Sequence, residues 1–209
     1  KVAKSYGVDV IDTLTGLKFI GEKMKEFEKT SKHTYLFGYE ESYGYLAGDF
    51  VRDKDAVSSS MLVCEMAAYY KSKDMSLYEG LLELWDKHGY FYEENHSIEM
   101  EGKEGMERIK TLMGTLRDNP PKELGGSKII AINDYKAGKN YDLRNGSICL
   151  IDLPASDVLK YRLDDDSWFA IRPSGTEPKI KLYFSTIGKD LEDAKAKTKN
   201  LESHVLKYI

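Results

Sequence analysis

Between residues 127 and 186 the sequence repeats one pattern five times: a short run of apolar, β-branched or aromatic residues, then a break. The runs cover residues 127–134, 147–153, 158–163, 167–172 and 179–186, each with the length and composition of a strand. Helical periodicity frames them. Met106, Ile109, Met113 and Leu116 precede the first run, and Leu191, Ala194, Thr198, Leu201, Val205 and Tyr208 follow the last, at the spacing of a one-faced helix. Residues 90–100 add a further strand ahead of them. Consecutive strands bracketed by helices predict a two-layer α+β unit with an antiparallel sheet rather than a doubly wound one.

The upstream part has a different rhythm. A short β pattern over residues 6–15 (Val8, Val10) leads into Leu17, Ile20, Met24 and Phe27 at helical spacing. Residues 33–39 (His-Thr-Tyr-Leu-Phe-Gly-Tyr) predict a buried strand, and an irregular loop follows over residues 40–53. Asp55 begins a helix whose expected inner face is Val57, Met61, Cys64 and Ala68. Ser76 and Glu79 form a capping box for the next helix, through Leu81, Leu84 and Trp85, with Gly89 just past its end. Strand, helix, strand, helix, helix predicts a mixed α/β domain over residues 1–88. The α+β domain then occupies residues 89–209 and is expected to be the smaller of the two whole domains, the first being N-terminally truncated here.

Composition narrows the function classes. With 31 Lys+Arg against 35 Asp+Glu the chain is slightly acidic, with a pI near 5.7, so it carries no global basic footprint for nucleic acid. Its longest apolar runs, such as residues 147–153, are too short for a membrane span. No leader or lipidation motif is present. Cys64 and Cys149 both sit in apolar segments, which predicts buried reduced thiols in a cytoplasmic protein. The chain begins Lys-Val-Ala-Lys without Met and is expected to be part of something longer.

Two loops concentrate charge of opposite sign. From Arg172 to Lys181 the sequence Arg-Pro-Ser-Gly-Thr-Glu-Pro-Lys-Ile-Lys holds three cations and one anion, Glu177. A hairpin needs none of this donor capacity. Gly175 lets backbone N–H groups converge, Ser174 and Thr176 add hydroxyls, and Arg172 can hold a phosphate with two parallel bonds. Residues 38–55 carry Glu40, Glu41, Asp49, Asp53 and Asp55 against Arg52 and Lys54. Such a loop repels phosphate, but its carboxylates and Ser42 suit vicinal sugar hydroxyls. Together the two loops match the two ends of a sugar phosphate.

These residues resemble the C-terminal half, the third and fourth domains, of an α-D-phosphohexomutase of the phosphoglucomutase/phosphomannomutase type. The string Arg172–Lys179 resembles that family's phosphate-binding loop, and Glu40-Glu-Ser42 its sugar-binding loop. Thr15-Gly-Leu-Lys-Phe19 and Arg52-Asp-Lys-Asp55 resemble two further third-domain segments, in the family's order along the chain. The resemblance implies a TBP-like antiparallel fold for the last domain. It implies that Glu40 and Ser42 bind sugar hydroxyls, and that Arg172, Ser174, Gly175 and Thr176, with Lys181, hold the non-reacting phosphate. Lys54 would lie near the reacting end as an electrostatic or acid/base group, while Thr15, Gly16 and Lys18 would shape their loop.

By the same resemblance the substrate is a hexose phosphate, interconverted between its 1- and 6-phosphates through a bisphosphorylated sugar. Glucose 1,6-bisphosphate would be the activator or intermediate, and Mg²⁺ would support the transfer. Neither the family's phosphoserine loop nor its metal loop occurs in these 209 residues. The missing N-terminal domains of the same chain would supply them, and the segment alone is expected to be inactive. Tyr39 stands where many relatives have Gly, which leaves a phosphopentomutase-like preference open. Tyr43 and Gly44 stand where some have a His relay. Asp164–Asp166 sits in a hairpin turn and His33, His88, His96 and His204 have no ligand spacing, so no metal ligand is expected here. The alternatives are a non-catalytic phosphosugar-binding module and a purely structural interaction domain.

Overall fold

The computed structural model describes residues 1–14, 16–40, 43–100, 102–175 and 177–209. The chain divides into two compact units, Lys1–Leu84 and Trp85–Ile209. The second is the longer of the two within these residues. Mixed helices and antiparallel strands make up both.

The first unit is built on helix α2 (Leu17–Thr30), which follows the short helix α1 (Val2–Ser5). Gly16 caps α2 at φ +121, a conformation open mainly to glycine. Leu17, Ile20 and Met24 form one buried stripe and pack with Leu46 and Tyr35. Strands β1 (Phe37–Tyr39) and β2 (Tyr45–Ala47) pair antiparallel, Tyr39 opposite Tyr45. Helix α3 (Ala56–Lys71) starts at Asp55, whose carboxylate accepts from the Val57 and Ser58 amides. Helix α4 (Leu77–His88) opens with the predicted capping box: the Ser76 amide donates to Glu79 Oε2 at 2.6 Å, and the Glu79 amide to Ser76 Oγ at 3.2 Å.

Three expectations for this unit are corrected. Residues 6–14 form no strand; Gly7 turns the chain at φ +69 just after α1. The strand expected over residues 33–39 shortens to β1 and is exposed, Tyr39 by 68%, because the ribbon it joins has only two strands among the described residues. Helix α3 buries none of Val57, Met61 or Cys64. Its apolar residues lie all round the helix, and such a pattern names no inner face.

The second unit holds a sheet of order β3-β10-β9-β8-β5-β6-β7, antiparallel at every pairing, with β4 (Glu123–Leu124) beside β5. In chain order β3 (Tyr90–Glu99) is followed by helix α5 (Gly102–Asp118), then β4 and β5 (Ser127–Asp134). Next come β6 (Lys139–Asp142), β7 (Ile148–Leu150), β8 (Leu159–Leu163), β9 (Trp168–Pro173) and β10 (Lys179–Gly188). Helix α6 (Leu191–Val205) and a 3₁₀ turn (Leu206–Tyr208) close the chain.

Register builds the core. Phe184, Phe169, Tyr161 and Ile132 are successive cross-strand partners, as are Leu182, Ile171 and Leu159. They meet Met113 and Leu116 of α5 and Leu201 and Val205 of α6 in one cluster. The Tyr161 and Phe169 rings stack at 4.6 Å. Tyr161 donates to the Leu116 carbonyl at 3.1 Å, satisfying an acceptor that the helix end leaves without an intrahelical partner. Because Ile171, Ile180 and Leu182 face this core, their strand neighbours Arg172 and Lys181 face the other side.

Strand β6 was not expected, and the run at 147–153 shortens to β7, where Cys149 is exposed. Neither cysteine is therefore buried; Cys149 lies on β7, the last strand of the sheet. Among the described residues no helix is long and apolar enough to cross a membrane.

Candidate functional site

In the first unit Glu40 sits at the β1–β2 turn. The Glu40 amide donates to the Gly44 carbonyl at 2.9 Å, and Tyr43 sits at φ +61. A side chain on Gly44 would meet Glu40 Oε1 at 2.6 Å and Leu17 Cδ1 at 2.7 Å. Glycine here is thus what allows the Glu40 carboxylate to fold back against the start of α2, where it is only 12% exposed. Ser42, Glu41 and Thr15 lie outside the described residues.

The following segment comes back to the same turn. The Asp55 amide donates to the Tyr45 carbonyl at 3.1 Å, which brings Lys54 Nζ to 3.8 Å from Glu40 Oε1 and 3.7 Å from Asp53 Oδ1. Arg52 is held by Glu28 of α2 and by the Asp49 carbonyl. Hydrogen bonding by Ser58, through its hydroxyl first and then its amide, holds the Asp55 carboxyl below the usual range. Lys18 lies over the Phe19 ring, 4.7 Å from its centroid, and Gly16 is set in its glycine-favouring conformation. The structure thus brings Glu40 and Lys54 together, and leaves Lys18 engaged with its neighbour.

In the second unit the cations sit on the β9–β10 hairpin. Lys181 is the direct cross-strand partner of Arg172, so both side chains project from the sheet face opposite the helices. Among the described residues no carboxylate comes within ion-pair distance of either. The hairpin is closed by the Ser174 amide donating to the Lys179 carbonyl at 2.9 Å, and the Glu177 amide reaches Ser174 Oγ at 3.3 Å. The Pro178 carbonyl accepts from the Met100 amide at 2.7 Å, tying the loop to the end of β3. An added Cβ on Gly175 would meet nothing within 4 Å. Thr176 lies outside the described residues.

Two features of this site were not singled out from the sequence. Lys179 Nζ lies 2.5 Å from Glu177 Oε2, and Glu99 of β3 is the cross-strand partner of Lys179. Together with Pro178 these residues line a cavity of about 160 Å³. Strand register, which no local pattern states, sets the second of these. The first was legible in principle, since a single Pro separates Glu177 from Lys179.

Asp164–Asp166 is occupied as a turn. Asp164 accepts from the Lys128 amide at 3.1 Å, and Asp165 from the Ser167 amide at 3.0 Å. Among the described residues no three His, Cys, Asp or Glu side chains converge as metal ligands do. The described residues therefore offer no ligand set that fits Mg²⁺.

Comparison with known proteins adds a second line. A family model described as phosphoglucomutase/phosphomannomutase, alpha/beta/alpha domain III, matches residues 1–88, and one described as phosphoglucomutase/phosphomannomutase, C-terminal domain, matches residues 126–202. The chain is similar to a phosphoglucomutase of Staphylococcus epidermidis, 39% identical over 184 residues, covering 88% of this chain and 33% of that protein. It is also similar to one of Staphylococcus aureus, 37% identical over 196 residues, covering 94% and 35%. Among solved structures it is similar to the open form of pp63/parafusin, a phosphoglucomutase from Paramecium, with a TM-score of 0.67 at 20% identity, covering 99% of this chain and 34% of that one. The chain spans about a third of the length of the curated relatives it matches.

Proposed function

This chain belongs to the phosphoglucomutase/phosphomannomutase family, and from that premise we propose that it supplies the substrate-binding part of an enzyme interconverting hexose 1-phosphate and hexose 6-phosphate. The single observation that carries the reading is the pairing of Arg172 with Lys181 across β9 and β10, beside the Ser174–Gly175 turn. Two cations on one face, with a hydroxyl and open backbone beside them, suit a phosphate dianion. Thr176 would complete that loop.

In this proposal the first unit reads the sugar. Glu40 accepts hydrogen bonds from ring hydroxyls, with Ser42 as its neighbour in the loop. Lys54, 3.8 Å from Glu40, places a cation where it offsets charge developing during phosphoryl transfer, a reaction driven mainly by positioning and electrostatics. The transfer, through a bisphosphorylated sugar, needs a phosphoserine loop that is not among these 209 residues. The chain on its own is accordingly proposed to bind and not to turn over.

Titrations with glucose 1-phosphate and inorganic phosphate test the reading in wild type, Arg172→Ala and Glu40→Ala. Loss of both ligands in Arg172→Ala, with loss of only the sugar phosphate in Glu40→Ala, is the expected result. Equal binding by Arg172→Ala and wild type refutes it. Tyr39 stands exposed at the mouth of the sugar turn, so ribose 1-phosphate belongs in the same titration; tighter binding than glucose 1-phosphate moves the assignment to pentoses. Interconversion of glucose 1- and 6-phosphates by the pure chain would contradict the division of labour.

A further inference from the structure

Glu177 is the sole carboxylate between Arg172 and Lys181, and the hairpin sets it against one of the cluster's own cations. Its Oε2 lies 2.5 Å from Lys179 Nζ. The backbone pins both partners: the Lys179 amide donates to the Glu177 carbonyl at 2.8 Å, and the Glu177 amide to Ser174 Oγ at 3.3 Å. Pro178 between them restricts the link. The charged groups acting on Glu177 are Lys179 and Lys181 of β10; Glu99, opposite Lys179 on β3, lines the same cavity, and Arg172 lies opposite Lys181 on β9. The hydrogen bond from Lys179, then its charge, then that of Lys181 keep the Glu177 carboxyl below its ordinary range.

We infer that Glu177 is an internal competitor for the phosphate: its carboxylate occupies Lys179, and a bound dianion gains that lysine only by displacing it. The inference rests on reading the Arg172–Lys181 cluster as the phosphate site. Three cations on one hairpin would otherwise attract any small anion. With Lys179 already neutralised, a monoanion meets only Arg172 and Lys181, whereas a dianion has enough charge to take the third cation from a single carboxylate. The device lowers affinity and raises selectivity for doubly charged groups, which is specificity by a built-in cost. It is also reversible, because nothing has to move but an exposed side chain on a loop.

Sulfate is the cleanest probe. A phosphate ester loses its second charge near pH 6, which confounds an acid titration, while sulfate stays doubly charged. Removing an exposed ion pair of this kind shifts an equilibrium by a factor of roughly two to five. Glu177→Gln is therefore expected to bind sulfate about two- to five-fold more tightly than wild type at neutral pH. Wild-type affinity is expected to rise as the solution is acidified through the carboxylate range, and the variant's to stay flat there. Lys179→Met separates displacement from simple repulsion: in that background Glu177→Gln brings no gain if the carboxylate acts by occupying Lys179.

Arg172→Ala distinguishes the two levels of the argument. If Arg172→Ala binds sulfate as well as wild type, the cluster is not the anion site and both readings fall. If Arg172→Ala loses sulfate while Glu177→Gln binds no tighter than wild type, only the competitor falls. A gain from Glu177→Gln that persists in Lys179→Met also overturns it. Binding seen in Glu177→Gln but not in wild type supports it outright, and no binding in any variant overturns both. Tryptophan-monitored unfolding of each variant checks that the unit is folded.

Discussion

Helix α5 offers a test in which one substitution, made twice on one element, has opposite signs. Gly105 and Gly114 both lie inside α5, and Ala for Gly in a helix interior gains about 1 kcal/mol of intrinsic propensity. At Gly114 an added Cβ meets nothing within 4 Å, so Gly114→Ala should raise stability by most of that amount. At Gly105 the same atom falls 1.9 Å from the Met100 carbonyl oxygen and 2.5 Å from its carbon. Those are backbone atoms and cannot rotate away. Overpacking costs about 1–3 kcal/mol, and a backbone collision belongs at the upper end, so Gly105→Ala should lose about 2 kcal/mol net of the helix gain. The two variants are thus separated by about 3 kcal/mol, or roughly 10 °C in Tm for a unit of this size. Trp168 lies on β9 of the second unit, whereas Trp85 sits on α4 at the unit boundary, so fluorescence of Trp168 in a Trp85→Phe background follows the unfolding of the second unit. The reasoning fails if both variants shift Tm in the same direction. Because the Met100 amide also holds the Pro178 carbonyl of the proposed phosphate loop, Gly105→Ala should weaken phosphate binding while Gly114→Ala leaves it unchanged.

Gly44→Ala should push the Glu40 carboxylate from its seat against Leu17, weakening glucose 1-phosphate binding but not inorganic phosphate binding; calorimetric titration with both ligands checks it. Tyr161→Phe strips the buried Leu116 carbonyl of its donor and should cost about 1–3 kcal/mol in urea unfolding of the second unit. Asp142 is held down to about 2 by hydrogen bonds from the Arg144 side chain and amide. A carboxyl lowered on folding stabilises the fold above its unfolded value of 3.8 and gives that up as the pH falls through about 2. Asp142→Asn should therefore flatten the stability profile between pH 4 and pH 2 and leave its slope at pH 7 unchanged, as acid unfolding series of the two proteins would show.

The second unit was largely legible because its strands alternate. Ile180, Leu182 and Phe184 on β10 point one way while Lys179, Lys181 and Tyr183 point the other, and a period of two in the sequence becomes two faces in the sheet. Once the core side is fixed, the outward position of Arg172 and Lys181 follows. Their pairing with each other does not, since register depends on the length and geometry of the 174–178 loop. The same limit hid Glu99, which joins the site from a strand some eighty residues earlier. Bulges defeat the period as well: the register shift between Ile129 and Ala131 buries Ile129, Ala131 and Ile132 in near succession, a run that alternation alone does not produce.

The first unit was less legible because its apolar residues do not choose a side. Helix α3 carries Val57, Met61, Leu62, Val63 and Met66 over consecutive turns, so periodicity assigned an inner face that the structure does not bury. Helix α2 behaves in the opposite way. Its Leu17, Ile20 and Met24 form a stripe flanked by lysines and glutamates and are buried together with Gly21, while Phe19 and Phe27 stay half-buried. A stripe is informative because its polar neighbours exclude every other face; a helix apolar on all sides excludes none. The proposed sugar turn was likewise only partly legible. Glycine at position 44 reads in the sequence as a turn residue, yet what it does is clear space between a carboxylate and a leucine. That role belongs to packing between segments apart in the chain, and it is why Glu40 could be picked out as a candidate from its loop while the reason for its placement could not be read.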